Sequence, residues 1–217
     1  MIDPDRPRNV PRKGTLFVVA APSGAGKSTL VNALLEREPA ISLSVSHTTR
    51  PPRVGEKYGR HYYFVEREEF EREVAEGIFL EHAEVHGNLY GTSRTTVQAL
   101  LQQGSDVLLE IDWQGAEQIR LSKPDCVSVF ILPPSRVELE RRLRGRGSDS
   151  AEVIERRLHN SREEIAHAYT FDYILVNDAF DQALADLQAI IRAVRLRSAL
   201  QWQRHETLIA ELLSPAG

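Results

Sequence analysis

Cysteine is almost missing from this 217-residue chain: Cys126 is the single one, which rules out an intrachain disulfide and fits a reducing, cytoplasmic compartment. Long apolar runs are missing as well. The longest, residues 16–21, is far below the ~20 residues that cross a bilayer, so no membrane partner is expected. No apolar signal core follows Met1; residues 1–14 are polar, carry Pro4, Pro7 and Pro11, and read as a flexible arm. Excess positive charge is lacking too: a net charge of −4, with no aromatic-rich stripe, excludes a globally basic nucleic-acid binder. Lysine is scarce, with Lys13, Lys27, Lys57 and Lys123 the only four among 27 cationic residues. Internal repeats and low-complexity tracts are absent. What remains, 41% hydrophobic and 27% charged residues, is the composition of one sizeable globular core.

Strands and helices alternate along the chain. Residues 15–20 are a short apolar, β-branched run of the kind buried on both faces of a parallel sheet. A glycine-rich loop follows, and Leu30, Val31, Leu34 and Leu35 then recur on a helical spacing that stops before Pro39. A second strand is expected over 41–45, loop and short strand over 46–64, and a helix carrying Phe70, Val74 and Ile78. Residues 79–92 hold short alternating stretches, and 95–103 read as a helix stopped by Gly104. Three further apolar runs, 106–112, 126–132 and 173–176, read as buried strands, and Leu184, Leu187, Ile191 and Val194 mark one face of a long C-terminal helix. The pattern predicts an α/β protein with a parallel β-sheet core flanked by helices.

The loop between the first strand and helix reads Ala21-Pro22-Ser23-Gly24-Ala25-Gly26-Lys27-Ser28-Thr29. Glycines let backbone N–H groups turn inward around phosphate oxygens, and the helix N-terminus adds its positive dipole end. Lys27 then reaches the β- and γ-phosphates of a nucleoside triphosphate, and the Ser28 hydroxyl can ligate Mg²⁺. Ala21 stands where this motif usually begins with glycine, a small residue that still permits the turn. Asp112 ends a strand near the crevice at the strand C-termini and is the expected second metal partner, a role compatible with capping the next helix.

A second anion site is written into residues 46–64, where Arg50 and Arg53 stand with a serine and tyrosines. Arginine offers the fork-shaped donor that phosphate oxygens take. Eight arginines against five acids between residues 136 and 162 make that segment locally positive. Two separate anion sites on one α/β body suggest phosphoryl transfer between two phosphorylated molecules. No Asn-Lys-x-Asp motif of guanine-reading GTPases is present. His47, His61, His82 and His86 lie near the presumed pocket without metal-ligand spacing.

The run Thr-Thr-Arg-x-x-Arg-x-x-Glu-x-x-Gly-x-x-Tyr-x-Phe from Thr48 to Phe64 resembles the signature of the guanylate kinases at every specified position. Phe79-Leu80-Glu81, Asn88-Leu89-Tyr90-Gly91, Ile111-Asp112-Trp113-Gln114-Gly115 and Val176-Asn177-Asp178 extend the resemblance to about residue 179, and the tail is similar to bacterial members. The resemblance implies a P-loop kinase that moves the γ-phosphoryl group of ATP to GMP, and to dGMP, with Mg²⁺. It implies a nucleotide-binding core (15–45, 99–134 and 168–217), an inserted GMP-binding region (46–98) and a helical lid (135–167). Ser46, Arg50, Arg53, Tyr62 and Tyr90 would hold the GMP phosphate, with Glu81 and Thr92 facing the guanine edge. Glu110 stands where the family commonly has Asp beside the guanine. Arg142, Arg146 and Arg157 would close over the transferring group, and Asn177 would lie by the adenine.

The attacking atom in such a reaction is a phosphate oxygen already anionic at neutral pH, so no general base is required; catalysis reduces to in-line positioning and charge neutralisation. Three other readings compete: a non-catalytic scaffold module of the same family, a P-loop kinase for a sugar phosphate, and a nucleic-acid binder using the arginine cluster. The intact Gly26-Lys27-Ser28, the arginine–tyrosine signature and the acidic net charge weigh against them in turn. Leu208, Ile209, Leu212 and Leu213 extend beyond the core-like stripe; such an end packs on a second subunit or folds back, and a homo-oligomer is the expectation.

Overall fold

The computed structural model describes residues 13–85, 87–145 and 150–214. In chain order the first elements are β1 (Leu16–Ala20), α1 (Lys27–Arg37), β2 (Ile41–Leu43), β3 (His47–Thr48), β4 (Tyr63–Phe64) and α2 (Arg67–Ala75). Then come β5 (Phe79–Val85), β6 (Asn88–Ser93), α3 (Arg94–Gln102), β7 (Asp106–Glu110), α4 (Trp113–Ser122) and β8 (Val127–Leu132). The last are α5 (Arg136–Gly145), α6 (Ala151–Ala166), β9 (Tyr173–Val176), α7 (Phe180–Arg195), α8 (Ser198–Arg204) and α9 (Glu206–Leu213).

Five strands pair in the order β2-β7-β1-β8-β9, every pair parallel. The period of two along a strand sends alternate side chains to opposite faces. Phe17 and Val19 of β1 join Leu30, Leu34, Leu184, Leu187 and Ile191 under α1 and α7, while Val18 and Ala20 join Val97, Leu101 and Ile119 under α3 and α4. Both faces are therefore covered, which is why these strands read as continuous apolar runs. Leu187, fully buried, anchors α7; truncation to alanine at such a site costs about 2–5 kcal/mol. With β1 central, the loops after β1 and β7 open at the same edge of the sheet, where α/β proteins bind ligands.

A second sheet, ordered β4-β3-β6-β5, interrupts the core between β2 and α3. Its β5 and β6 form an antiparallel hairpin, where the sequence shows only short alternating stretches. Their alternation is blurred because Glu81 on β5 and Tyr90 on β6 face a cleft. Helix α2 stops at Ala75 and Gly77 takes φ +69°, so Ile78 lies beyond the helix its spacing suggested. β2 likewise ends at Leu43 rather than at residue 45. Gly14, assigned to the arm by its composition, is part of the core: its N–H donates to Leu101 O at 2.8 Å. Residues 1–12 of that arm lie outside the described residues.

Helices α5 and α6 enclose a small apolar cluster of their own, Leu139, Leu143, Ile154 and Leu158. Helices α8 and α9 bury none of their residues, and Leu212 stays 74% exposed. Among the described residues no helix is long and apolar enough to cross a membrane.

Candidate active site

The β1–α1 turn is built by two left-handed glycines, Gly24 at φ +94° and Gly26 at φ +92°, a conformation other residues adopt only with strain. Gly26 is required for room as well, since a Cβ there would stand 2.4 Å from Asn177 Nδ2. Lys27 Nζ donates to Ile111 O at 2.7 Å, holding the ammonium across the mouth of the turn. The Ser28 hydroxyl donates to the Glu110 carboxylate. Asp112 instead caps α4, accepting from Gly115 N at 2.9 Å and from Gln114 Nε2 at 3.1 Å. Glu110 thus stands beside Ser28 and Asp112 near Glu81, and both carboxylates line the same cleft. The strand ends at Glu110, and the turn into α4 carries Asp112 off the strand's own face.

Helices α5 and α6 sit directly on this turn. A Cβ at Gly24 would meet Leu139 and Leu143 of α5 at 2.9–3.0 Å. Arg142 donates to Ala25 O at 3.3 Å and to Asn177 O at 3.0 Å, and it is braced by Glu138 at 2.7 Å. From α6, Arg157 reaches the Ser23 hydroxyl at 3.4 Å, and Glu164 Oε2 accepts from Ser23 N at 3.2 Å. Sequence reasoning missed Glu164; the available signal was its spacing of two helical turns from Arg157, which puts both on one face. Burial, with Asp112 nearby, raises the Glu164 carboxyl above the usual carboxylate range, against the lowering effect of the Ser23 N–H and Lys27.

Asn177 does not lie open to a base. It is 5% exposed, and its amide donates to Ala25 O at 2.7 Å, bracing the turn from below. Arg146 falls outside the described residues.

The far end of the cleft belongs to the second sheet. Glu81 on β5 is 3% exposed, and the Thr92 hydroxyl on β6 donates to its Oε1 at 2.5 Å. Thr92 therefore stands behind the carboxylate rather than on the cleft wall. A Cβ at Gly115 would fall 2.3 Å from Glu81 Oε2, so the glycine leaves the space this carboxylate fills. Burial pushes Glu81 up to about 7, aided by Asp112 and opposed by Thr92 and Lys27. Tyr62 and Tyr90 meet edge to face at 5.9 Å, and burial drives the Tyr62 phenol up to about 12.

Ser46, Arg53, Tyr62, Tyr90 and Glu81 share one cleft with Glu110, Asp112, Arg157 and every residue of the 21–29 turn except Ala25. Arg50 stays off the wall: Glu56 holds its guanidinium in a fork at 2.8 and 3.0 Å, and the group lies over the Tyr62 ring at 5.4 Å. Ala25, Thr92, Arg142 and Asn177 support the wall from behind. The cleft therefore offers an anion cradle at one end and a buried two-oxygen acceptor at the other.

The family model described as guanylate kinase matches residues 13–194. The chain is 62% identical over 200 residues to the guanylate kinase of Alkalilimnicola ehrlichii, covering 92% of this chain and 97% of the relative. It is 56% identical to that of Escherichia coli strain K12, covering 93% and 99%. Among solved structures, the guanylate kinase of Anaplasma phagocytophilum superposes with a TM-score of 0.74 at 37% identity, covering 91% of this chain and 96% of that one.

Proposed function

The chain belongs to the guanylate kinase family and is an ATP:GMP phosphotransferase, and from that premise we propose how its residues divide the reaction. The observation that carries the proposal is the cleft itself, which joins the 21–29 turn to the buried Glu81 carboxylate. ATP phosphates lie in the turn against its N–H groups and Lys27. The GMP phosphate lies against Ser46, Arg53, Tyr62 and Tyr90, with Arg50 joining once the phosphate draws it from Glu56. The guanine edge faces Glu81: N1–H and N2–H₂ are adjacent donors, and a carboxylate presents two acceptors at matching separation. Asp112, standing toward Glu81, takes the place on the guanine side that the sequence alone gave to Glu110. Thr92 orients Glu81, and Asn177 and Arg142 support the turn from behind.

ATP-using phosphotransferases generally need Mg²⁺. Among the described residues no three His, Cys, Asp or Glu side chains form a metal cage, so the ion would share its coordination with phosphate oxygens. The Ser28 hydroxyl and the Glu110 carboxylate, hard oxygen donors already in contact, fit it. Bound there, it would neutralise charge on the β- and γ-phosphates. The chain's own part in the transfer is to hold the two phosphates in line, with Lys27 and Arg157 beside the oxygens that gain charge.

The inserted region 46–98 is the GMP-binding region, residues 135–167 with α5 and α6 are the lid, and 15–45, 99–134 and 168–217 are the nucleotide-binding core. A single buried thiol, Cys126, supports a cytoplasmic setting. The exposed apolar residues of α9 support self-association, which a monomeric mass in light scattering would overturn. The function is tested by coupled ADP release with ATP and GMP, dGMP, AMP, CMP or UMP as acceptor. Turnover with GMP and dGMP alone is expected; equal turnover with AMP would overturn the guanine assignment.

A further inference from the structure

Ser23 is gripped twice by one helix. Arg157 donates to its hydroxyl, and two turns along α6 Glu164 accepts from its backbone N–H. That N–H belongs to the turn whose left-handed glycines aim successive donors at an anion. Glu164 lines the same cleft as Lys27, Ser28 and Asp112 and is half-buried. A carboxylate of the enzyme thus takes a donor of the turn that the proposed function gives to a phosphate oxygen. A carboxylate and a triphosphate cannot share that donor: both are acceptors, and two anions in contact repel strongly where water is excluded.

We propose that Glu164 is a positioning residue that latches the lid to the phosphate turn and is displaced from Ser23 by arriving ATP. The displacement frees α6 near its C-terminal end and gives Arg157, carried on the same face, the freedom to move from Ser23 to the phosphoryl group. The latch thereby ties the delivery of an arginine to occupancy of the turn. It rests on the reading that the 21–29 turn receives the ATP phosphates.

A reporter is built in. Trp113, at the start of α4, stacks on His167 at the C-cap of α6 with ring centroids 3.6 Å apart, so movement of α6 changes its surroundings. The exposed Trp202 is replaced by phenylalanine to leave that signal alone. In this background, ATP and GMP are titrated separately into the parent protein, Glu164→Ala and Glu164→Gln. Removing the competing carboxylate is expected to tighten ATP binding by about tenfold, the worth of one hydrogen bond to a charged group, with GMP affinity unchanged. The fluorescence change on ATP addition is expected to shrink, because α6 is already released. Glu164→Gln, which keeps shape and removes charge, is expected to move in the same direction and carries the test if Glu164→Ala does not fold. Unchanged or weaker ATP affinity in the folded variants overturns the latch, since a merely structural carboxylate gives that result. Lys27→Ala is the control: if it leaves ATP binding intact, the phosphate-turn reading is what has failed.

Discussion

The two ends of the cleft recognise their ligands by different means. At the phosphate end the proposed assignment has many groups act together: the loop amides, Lys27, Ser28, Arg157 and the helix dipole of α1, several of them hydrogen-bonded to other parts of the protein. At the base end the proposed reader is the buried Glu81 carboxylate, fixed by Thr92 on one oxygen and seated over Gly115 with the other, with Asp112 beside it. Shared recognition of charge loses part of its binding with each donor removed and suffers more in turnover, because the charge that develops during transfer needs all of them. Recognition by a single desolvated group is close to all-or-none, because an ill-matched ligand leaves that group unpaired.

Several substitutions break or sharpen this contrast, beginning with the largest. Lys27→Ala is expected to lower kcat by about 10³-fold while circular dichroism shows the fold intact. Arg157→Ala, and Arg146→Ala, are expected to lower kcat by about 10²-fold with little change in the KM for GMP. An unchanged kcat would remove either arginine from the phosphate end.

At the base end the contrast appears in pH. Glu81 stands at about 7 in the folded protein, so its guanine-accepting carboxylate form grows as pH rises through that value. The KM for GMP is expected to fall by about tenfold between roughly pH 6 and 8, a dependence that Glu81→Gln loses. The same shift sets a stability effect. A carboxyl raised above its unfolded value contributes stability that is present below about 4.5 and lost as pH rises through about 7. Ionising Glu81 in the nucleotide-free protein costs on the order of 3 kcal/mol at pH 8, so Glu81→Gln is expected to raise Tm there and much less at pH 5. Smallest is Thr92→Val, which leaves one Glu81 oxygen without its donor and is expected to raise the KM for GMP by about fivefold without touching the KM for ATP.

The same division governs what the sequence made legible. The core strands β1, β7, β8 and β9 and the stripe Leu184–Leu187–Ile191–Val194 stand out because burial on a covered face demands unbroken or periodic apolar residues. The glycine turn stands out because its backbone needs those residue types. The inserted sheet is legible through the arginine–tyrosine signature, not through periodicity, since cleft-facing polar residues interrupt β5 and β6. Glu110 and Asp112 could not be told apart in sequence, because their places depend on where β7 stops and α4 begins. Asn177 reads as a cleft residue but is turned under the loop, where Gly26 leaves it room. Glu164 carries no mark except its register with Arg157.

The most direct test of a single-carboxylate base reader is the ratio of kcat/KM for GMP to that for AMP, measured in the parent enzyme and in Glu81→Ala by coupled ADP release. A site that hydrogen-bonds a substrate group rejects analogues lacking it by roughly 10⁴-fold, and that preference is expected to fall by at least about 10²-fold in the variant, with the KM for ATP unchanged. A variant that keeps the parent's preference for GMP would contradict the account and place the guanine reader elsewhere, with Asp112 the next residue to replace.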